Sequence, residues 1–423
     1  MRLEQTEKDT IIVIVSLFVQ VPLALFLGHA YDDKVFMATG YVVGSGFNPY
    51  IPHDLTGIFS NPLLGGTAPI IGYPPPWPML LGLIFRISFA IVPNIFLYNF
   101  AIKIPVILGN LALAYLVRSL VVEYYADEKK ARRAWVFMLF NPFVLLTTVA
   151  WGEFDTVVAL LCIASLYFLS NGRIKESALA LSLGVAIKPI ALPLVGLPFL
   201  LPTPNLPRKN IQYLTIFSTV LFFLYFVPFI ALGWAIPFGG GKTDAQFERL
   251  GGLSLFNINE LFRTAVDIPS NFQFLGFLWV PAVLAGYYLV YRSRPICFDD
   301  MIQKVVAVML IFFLTRSWVS EPNVNLLLPL MMLTVLFDKP TFRKFHFVWI
   351  IPLIFMFLNY SFPQLFFLVA PNILQTLASL DNEIGSLRFV ARFLIVIPWQ
   401  VLGWSMVTKM LHRRDENKTK SMS

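Results

Sequence analysis

Charged residues are rare in this chain, and several of them interrupt apolar sequence at positions where they could do chemistry. Asp32 and Asp33 follow directly on an uncharged stretch from Thr10 to Gly28. Carboxylates at such positions can act as general bases toward a hydroxyl group. Further acidic and basic residues interrupt the apolar sequence downstream. The Lys and Arg residues among them could bind a phosphate and stabilise its negative charge. These residues are Asp54, Glu153, Asp155, Lys188, Arg316 and Glu321.

The composition places these charges in a membrane protein. Of the 423 residues, 57% are hydrophobic and 13% are charged, whereas soluble domains average about 45–50% apolar and about 25% charged residues. The net charge of +8 is explained by Lys and Arg that flank membrane spans on the cytoplasmic side, so we expect no nucleic-acid partner. Cys162 and Cys297 indicate neither a disulfide framework nor a metal site.

Uncharged or nearly uncharged stretches predict an all-α polytopic fold with about 12 transmembrane helices. The predicted spans are 10–28, 98–118, 134–150, 156–171, 177–187, 189–203, 211–232, 272–291, 302–319, 323–337, 347–361 and 393–410.

The apolar segment from Pro78 to Val92 is predicted to lie at the outer surface of the membrane. It is short, contains Arg86 and is bracketed by prolines, which is more typical of an interfacial helix than of a span. With this segment at the surface, both termini and most of the 32 Lys and Arg residues are cytoplasmic. The outer face then receives the long connections 29–97, 151–155, 233–271 and 362–387, with the short turn 315–322 between them.

This topology gathers the charges that are hard to explain at one face of the membrane. A charge at bilayer depth costs several kcal/mol, so such residues usually face a water-filled cavity or a partner. Carboxylates beside cations at the outer leaflet would suit a sugar linked to a lipid phosphate. The isoprenoid tail of that molecule would lie in the bilayer, and its sugar would reach water.

The same residues have structural alternatives. The acids can cap or solvate helix ends, and Asp155 is well placed to cap the helix that follows it. Lys188 can pair with a carboxylate beside a helix break, and Arg316 can snorkel to the interface. Three tryptophans can anchor the protein at the interface as readily as they can form sugar platforms. They are Trp77, Trp151 and Trp318.

In these residues the chain resembles the GT-C superfamily of polytopic glycosyltransferases, which use dolichyl- or polyprenyl-phosphate sugars. The nearest pattern is that of the mannosyltransferases that include the first mannosyltransferase of GPI-anchor synthesis and its prokaryotic relatives. The matching pieces occur in order over roughly residues 1–205, and the turn from Arg316 to Asn323 adds one more. The pieces are Asp32-Asp33-Lys34-Val35-Phe36, Gly46-Phe47-Asn48-Pro49-Tyr50, Tyr73-Pro74-Pro75, Asn141-Pro142, Trp151-Gly152-Glu153-Phe154-Asp155 and Lys188-Pro189.

The resemblance implies a first outer loop that carries surface-lying helices and a catalytic aspartate. In the GPI-type pattern two aspartates flank one residue. Here Asp32 takes the second acidic position and Ala30 stands at the first, so one carboxylate is the candidate base and no metal role is expected for this motif. We predict a single integral membrane domain over residues 1–423. Its GT-C-like module covers 1–232, and variable helices follow in 233–423.

The predicted activity is inverting glycosyl transfer, with mannose as the expected sugar. The donor is a dolichyl- or polyprenyl-phosphate sugar, and the acceptor is a hydroxyl of a lipid-linked glycan or glycolipid at the outer or lumenal face. Asp32 is the predicted base, and Lys188 and Arg316 are predicted to bind the donor phosphate. The residues predicted to bind the acceptor or the sugar are Asp33, Asp54, Tyr73, Trp151, Glu153 and Asp155.

No cofactor is predicted, and a requirement for a divalent metal is left open. We expect a monomer in contact with membrane lipids. Its location is the cell membrane, or the endoplasmic reticulum membrane in a eukaryote.

A lipid-linked sugar flippase or another secondary transporter is the alternative from a different class. It would account for the many spans, the intramembrane charges and the helix break at Lys188-Pro189. It accounts less well for the loops and charges that share one face, and no internal repeat is visible. A non-catalytic scaffold is a third alternative, against which the acidic and basic residues count.

Overall fold

The computed structural model describes residues 2–59, 64–67, 70–196, 198, 206–234, 251–258, 277–293, 298–335 and 345–412. Within these ranges the fold is all-α, as predicted, with only one pair of very short strands. The helices in chain order are α1 (Arg2–Phe26), α2 (Asp32–Gly44), α3 (Pro76–Ile87), α4 (Ile95–Tyr125), α5 (Glu128–Phe140), α6 (Pro142–Val144), α7 (Asp155–Ser170), α8 (Ile174–Ile187), α9 (Leu206–Tyr225), α10 (Val227–Leu232), α11 (Trp279–Ser293), α12 (Phe298–Thr315), α13 (Leu327–Val335), α14 (Phe347–Leu358), α15 (Ser361–Gln364) and α16 (Ile373–His412).

Irregular helical turns and the strand pair complete the described fold. A π-helix, Leu145–Ala150, continues α6. Short 3-10 helices cover Pro189–Leu194, Leu255–Asn257 and Glu321–Leu326. Strand β1 (Gly251–Gly252) pairs in parallel with β2 (Trp318–Val319).

Several of the helices support a polytopic membrane protein. In the described part of the chain, 5 helical segments are long and apolar enough to cross a membrane. They are Glu7–Phe26, Ile95–Tyr125, Glu128–Ala150, Lys209–Leu232 and Ile373–Leu411. Most other predicted spans coincide with shorter helices. The stretch 189–203 is different, because Pro189 and Pro193 lie in a short 3-10 helix and residues 197 and 199–203 lie outside the described residues.

The segment 362–387 is mostly helical, because α16 begins at Ile373 and is 40 residues long. A helix of this length measures about 60 Å, roughly twice the hydrocarbon core. Charged side chains lie on this helix, where Arg388 forms a 2.7 Å ion pair with Asp381. The segment 233–271 lies mostly outside the described residues.

Helices α2 and α3 form the structured part of the first predicted outer loop. They have 13 and 12 residues, so each is roughly 20 Å long and too short to cross a hydrocarbon core. The two helices pack on each other, and Trp77 at the start of α3 is 1% exposed. Its ring stacks on Phe154 with centroids 3.9 Å apart. Trp77 is therefore a core residue that docks this hairpin onto the turn before α7.

Buried polar side chains of α4 fix the end of α1. Asn99 donates to the carbonyl oxygens of Ala24 and Leu27 at 2.9 and 2.8 Å. Lys103 donates to Leu27 and to Ala150, the last residue of the π-helix. Carbonyl groups at the end of a helix have no hydrogen-bond donor within the helix, and the side chains of Asn99 and Lys103 supply the missing donors. The segment between α1 and α2 is thus held against the turn that precedes α7.

Candidate active site

Most of the predicted site residues line one cavity of about 570 Å³. The segments that surround it include the start of α2, the turn 151–154, the start of the 3-10 helix after α8, and the turns that follow α12 and α14. The predicted residues in its lining are Asp32, Tyr73, Trp151, Glu153, Lys188, Arg316, Trp318 and Glu321. Residues that are up to about 290 positions apart in sequence therefore meet at one concave site, as is usual for a substrate pocket.

Asp32 is the first residue of α2, and one of its carboxylate oxygens is held firmly. Its Oδ2 accepts a 2.7 Å hydrogen bond from Trp151 Nε1 and lies 3.0 Å from His29 Nδ1. Burial raises the pKa of Asp32, but the hydrogen bonds from His29 and Trp151 and the charge of Lys188 outweigh burial, so its pKa lies below its usual range. Among the described residues, none donates to Oδ1. That oxygen is available to a substrate hydroxyl.

His29 is a site residue that the sequence interpretation missed. Its ring stacks on Trp151, with centroids 4.1 Å apart and planes at 12°. It is 8% exposed and lines the cavity. The sequence did contain a sign of this contact, because His29 stands three residues before Asp32. Side chains at this spacing can meet on one face of a helical turn.

Lys188 lies between two carboxylates where α8 ends. Its Nζ lies 3.0 Å from Glu153 Oε2 and 2.7 Å from Asp155 Oδ2. Its backbone is extended, with φ −148°, which turns the chain from α8 into the 3-10 helix at Pro189. The structural alternative for Lys188, pairing with a carboxylate, is therefore realised. Lys188 and Glu153 still line the cavity, whereas Asp155 is 0% exposed behind them.

Glu153 adds an ionisable group beside this lysine. Burial raises the pKa of Glu153 to about 8; Lys188 lowers it, and the charges of Asp32 and Asp155 raise it further. Tyr73 donates a 3.4 Å hydrogen bond to its Oε1. Of the two carboxylates, that of Asp155 lies closer to Lys188 Nζ, at 2.7 Å against 3.0 Å for Glu153.

Arg316 follows α12 and has a different environment. Its guanidinium lies over the Phe312 ring, 5.4 Å from the centroid. In the described ranges no carboxylate oxygen lies within 4.0 Å of it. The pairing of β1 with β2 fixes this turn, and Ser254 donates to the carbonyl oxygen of Arg316. The result is an accessible cation at the cavity wall, which is the usual requirement for binding a phosphate.

The sequence pattern of glycosyltransferase family 87 matches residues 73–338, which is more than half of the chain. The chain belongs to glycosyltransferase family 87. This family is of the polytopic GT-C type, so the predicted membership of the GT-C superfamily is confirmed, and the protein is a membrane-bound transferase. The transporter and scaffold alternatives are thereby set aside. No curated protein matches the sequence of this family 87 glycosyltransferase.

Three of the predicted sugar-binding residues do not line the cavity of the glycosyltransferase: Asp155, which is buried beside Lys188, and also Asp33 and Asp54. Asp33 is 1% exposed and lies 3.7 Å from Lys103 Nζ. Burial raises its pKa to about 7, although Lys103 and His29 lower it. Asp54 is in an exposed loop and accepts hydrogen bonds from the backbone and side chain of Thr56 at 2.9 and 2.7 Å. Neither geometry supports contact with substrate.

The pairing of Asp33 with Lys103 requires glycine at two neighbouring positions. A Cβ atom on Gly28 would overlap the Asp33 carboxylate. Gly152 has φ +100°, and a Cβ there would lie 3.0 Å from Asp33 Oδ1 and 3.1 Å from Lys103 Cε. Glycine alone adopts this backbone conformation without strain. The two glycines let the segments that carry the base and its tryptophan partner close over one buried ion pair.

Replacement of Gly28 by alanine is expected to destabilise the protein and to reduce transfer. Overpacking of this kind costs about 1–3 kcal/mol, and the displaced Asp33 is next in sequence to the base. Thermal unfolding in detergent and initial transfer rates measure the two effects. Gly184→Ala is the matched control, because its Cβ would meet only ordinary contacts, the nearest at 3.4 Å from Leu161. Equal unfolding temperatures for the two variants would contradict the packing argument.

The cavity lining also carries uncharged polar groups that were not among the predicted site residues. They are Ser320, Asn323, Asn359, Ser361 and Gln364. The last three follow α14 in sequence that gave no motif. Among the described residues, no group of three or more His, Cys, Asp or Glu side chains is arranged to hold a metal ion.

Proposed function

We propose that this glycosyltransferase transfers a sugar, with mannose expected, from a dolichyl- or polyprenyl-phosphate donor to a hydroxyl of a lipid-linked glycan or glycolipid. One observation carries the proposal. Asp32, a carboxylate with an available oxygen, shares the cavity with the cations Lys188 and Arg316. A base and a phosphate-binding pair in one cavity are the two requirements of transfer from a phosphate-linked sugar.

Asp32 is the proposed base. Its Oδ1 accepts the proton of the acceptor hydroxyl while that oxygen attacks the anomeric carbon of the donor. The bond from the anomeric carbon to the phosphate oxygen breaks, and its electron pair leaves with the lipid phosphate. A single displacement of this kind inverts the anomeric configuration. Because the pKa of Asp32 is low, the carboxylate is ionised and ready to accept a proton at neutral pH.

Arg316 and Lys188 are proposed to hold the donor phosphate and to stabilise the charge that develops on it. Arg316 offers a planar set of N–H donors that is not engaged by a carboxylate in the described part of the chain. Burial raises the pKa of Glu153 and so favours its protonated form, which makes Lys188 more attractive to an anion. The cavity beside them is lined by apolar side chains that suit the first isoprene units of the donor lipid. These are Ile190, Leu192, Trp279 and Phe312.

The proposal also includes the orientation of the protein in the membrane. Both termini are cytoplasmic and the cavity opens at the outer or lumenal face, as the distribution of Lys and Arg favours. The enzyme would act as a monomer.

The test is transfer by the purified full-length protein in liposomes. We expect radiolabelled mannose to pass from a synthetic polyprenyl-phosphate mannose to an acceptor glycolipid pool, giving a glycoside with the anomeric configuration opposite to that of the donor. The coupling constant of the anomeric carbon and its proton establishes that configuration. Liposomes without protein and a nucleotide-sugar donor are the controls. Retention of configuration, or transfer from the nucleotide sugar alone, would refute the proposal.

A further inference from the structure

We infer that four residues that line the cavity bind an uncharged, hydroxyl-rich sugar ring of the acceptor. We call this set the amide wall, and it consists of Glu321, Asn359, Ser361 and Gln364. The inference rests on the proposed function for the reaction that follows binding. Three of the four residues, Asn359, Ser361 and Gln364, lie beyond the family match at 73–338.

Glu321 supplies the strongest observation for this inference. Its side chain is 2% exposed, and its Oε1 accepts hydrogen bonds from Asn359 Nδ2 at 3.0 Å and Ser361 Oγ at 3.1 Å. No described residue donates to the second oxygen, Oε2. Glu321 lines the cavity, so this oxygen can face a ligand there. A ligand hydroxyl in the cavity would supply the missing donor.

Gln364 adds a second unsatisfied group to the amide wall. Its side chain is half-buried and lines the cavity. Neither atom of its amide makes a hydrogen bond within the described ranges. A primary amide offers two donors and one acceptor. The amide wall therefore presents donors and acceptors side by side, and the hydroxyl groups of a sugar ring can satisfy both.

The charge distribution of the cavity indicates that this ligand is uncharged. Both cations of the described lining, Lys188 and Arg316, are the residues proposed to bind the donor phosphate. The amide wall contributes amides, a hydroxyl and the Glu321 carboxylate. A phosphate group there would meet Glu321 without a cation to offset it. The donor phosphate therefore suits Lys188 and Arg316, and a neutral acceptor sugar suits the amide wall.

The position of the amide wall relative to the base completes the argument. The backbone N–H of Gly28 donates to the carbonyl oxygen of Leu365 at 2.8 Å. Leu365 also packs with Trp151, which holds Asp32. The turn that carries Ser361 and Gln364 is thus attached to the segment that carries the base. A sugar on the amide wall would have its hydroxyls beside Asp32, as an acceptor requires.

The test separates binding from turnover. Saturation-transfer NMR on the full-length protein in nanodiscs would be recorded with methyl α-D-mannoside, methyl β-D-glucoside and methyl β-D-galactoside, and with mannose 6-phosphate as a charged probe. We expect at least one uncharged glycoside to bind. Glu321→Gln should weaken that binding about 10-fold or more, and Gln364→Ala about 3- to 10-fold. Arg316→Met should leave it within 2-fold. Gln375→Ala, an exposed residue of the same type on α16, is the matched control.

Kinetics on the same variants provide the second measurement. Gln364→Ala should raise KM for the acceptor with little change in KM for the donor. Binding of mannose 6-phosphate alone, or glycoside binding that Glu321→Gln and Gln364→Ala leave unchanged, would overturn the inference. Glycoside binding with the expected sensitivity but without transfer from any polyprenyl-phosphate sugar would instead refute the proposed function and leave the amide wall in place.

Discussion

Asp32→Asn is expected to reduce transfer by about 10²–10⁴-fold while the protein still folds, because this is the usual contribution of a positioned general base. The asparagine side chain has the shape of the aspartate and can still accept the hydrogen bond from Trp151 through its amide oxygen. It cannot take the proton of the acceptor hydroxyl. Single-turnover rates with a polyprenyl-phosphate sugar in liposomes measure the chemical step, and thermal unfolding measures integrity.

Two further aspartates serve as controls for this prediction. Asp54→Asn should leave the rate unchanged, because Asp54 bonds only locally to Thr56 in an exposed loop. Asp33→Asn should alter stability, because it removes the charge that faces the buried Lys103. If Asp32→Asn turns over normally while one of the other two does not, the assignment of the base is incorrect.

The uncharged stretches and the isolated charges were sufficient to predict the class of fold and much of the site. Long apolar segments require helices in a membrane, because only these satisfy the backbone internally. Charges that interrupt such segments are costly unless they face a cavity or a partner, which is why Glu153, Lys188 and Arg316 could be singled out. Their spacing in sequence carried no information about their mutual distances.

Other parts of the site depend on tertiary contacts that the sequence does not encode locally. Asp32 and Asp33 look alike in sequence, yet one lines the cavity and the other is buried against a lysine of α4. The direction in which α2 begins decides which of the two aspartates faces the cavity. The close contacts of Gly28 and Gly152 help to set that direction. The amide wall corresponds to no sequence motif. Asn359, Ser361 and Gln364 are recognisable as a set only because the fold brings them to the cavity beside Glu321.

The second large effect is expected at the phosphate-binding cations, which should behave differently from one another. Arg316→Met should reduce kcat/KM for the donor about 10²–10³-fold, the loss typical of one group that stabilises transition-state charge. Its unfolding temperature should stay close to that of the unmodified protein, because no carboxylate in the described ranges loses an ion-pair partner. Steady-state kinetics with varied donor, and thermal unfolding, measure the two quantities.

Lys188→Met should impair both donor use and stability. Asp155 is 0% exposed and lies 2.7 Å from Lys188 Nζ, so the substitution leaves a buried carboxylate without its counter-charge. Removal of one partner from a buried pair costs about 3–5 kcal/mol. The effect on stability therefore obscures the effect on catalysis in this single variant.

A compensated variant separates these two roles of Lys188. Glu153→Gln and Asp155→Asn, combined with Lys188→Met, remove the buried negative charges together with the lysine, so stability should largely return. If Lys188 binds the donor phosphate, donor kcat/KM should remain at least about 10-fold below that of the Glu153→Gln, Asp155→Asn double variant, which keeps the lysine. Equal values for the two would show that Lys188 is a structural ion-pair partner and that Arg316 alone receives the phosphate.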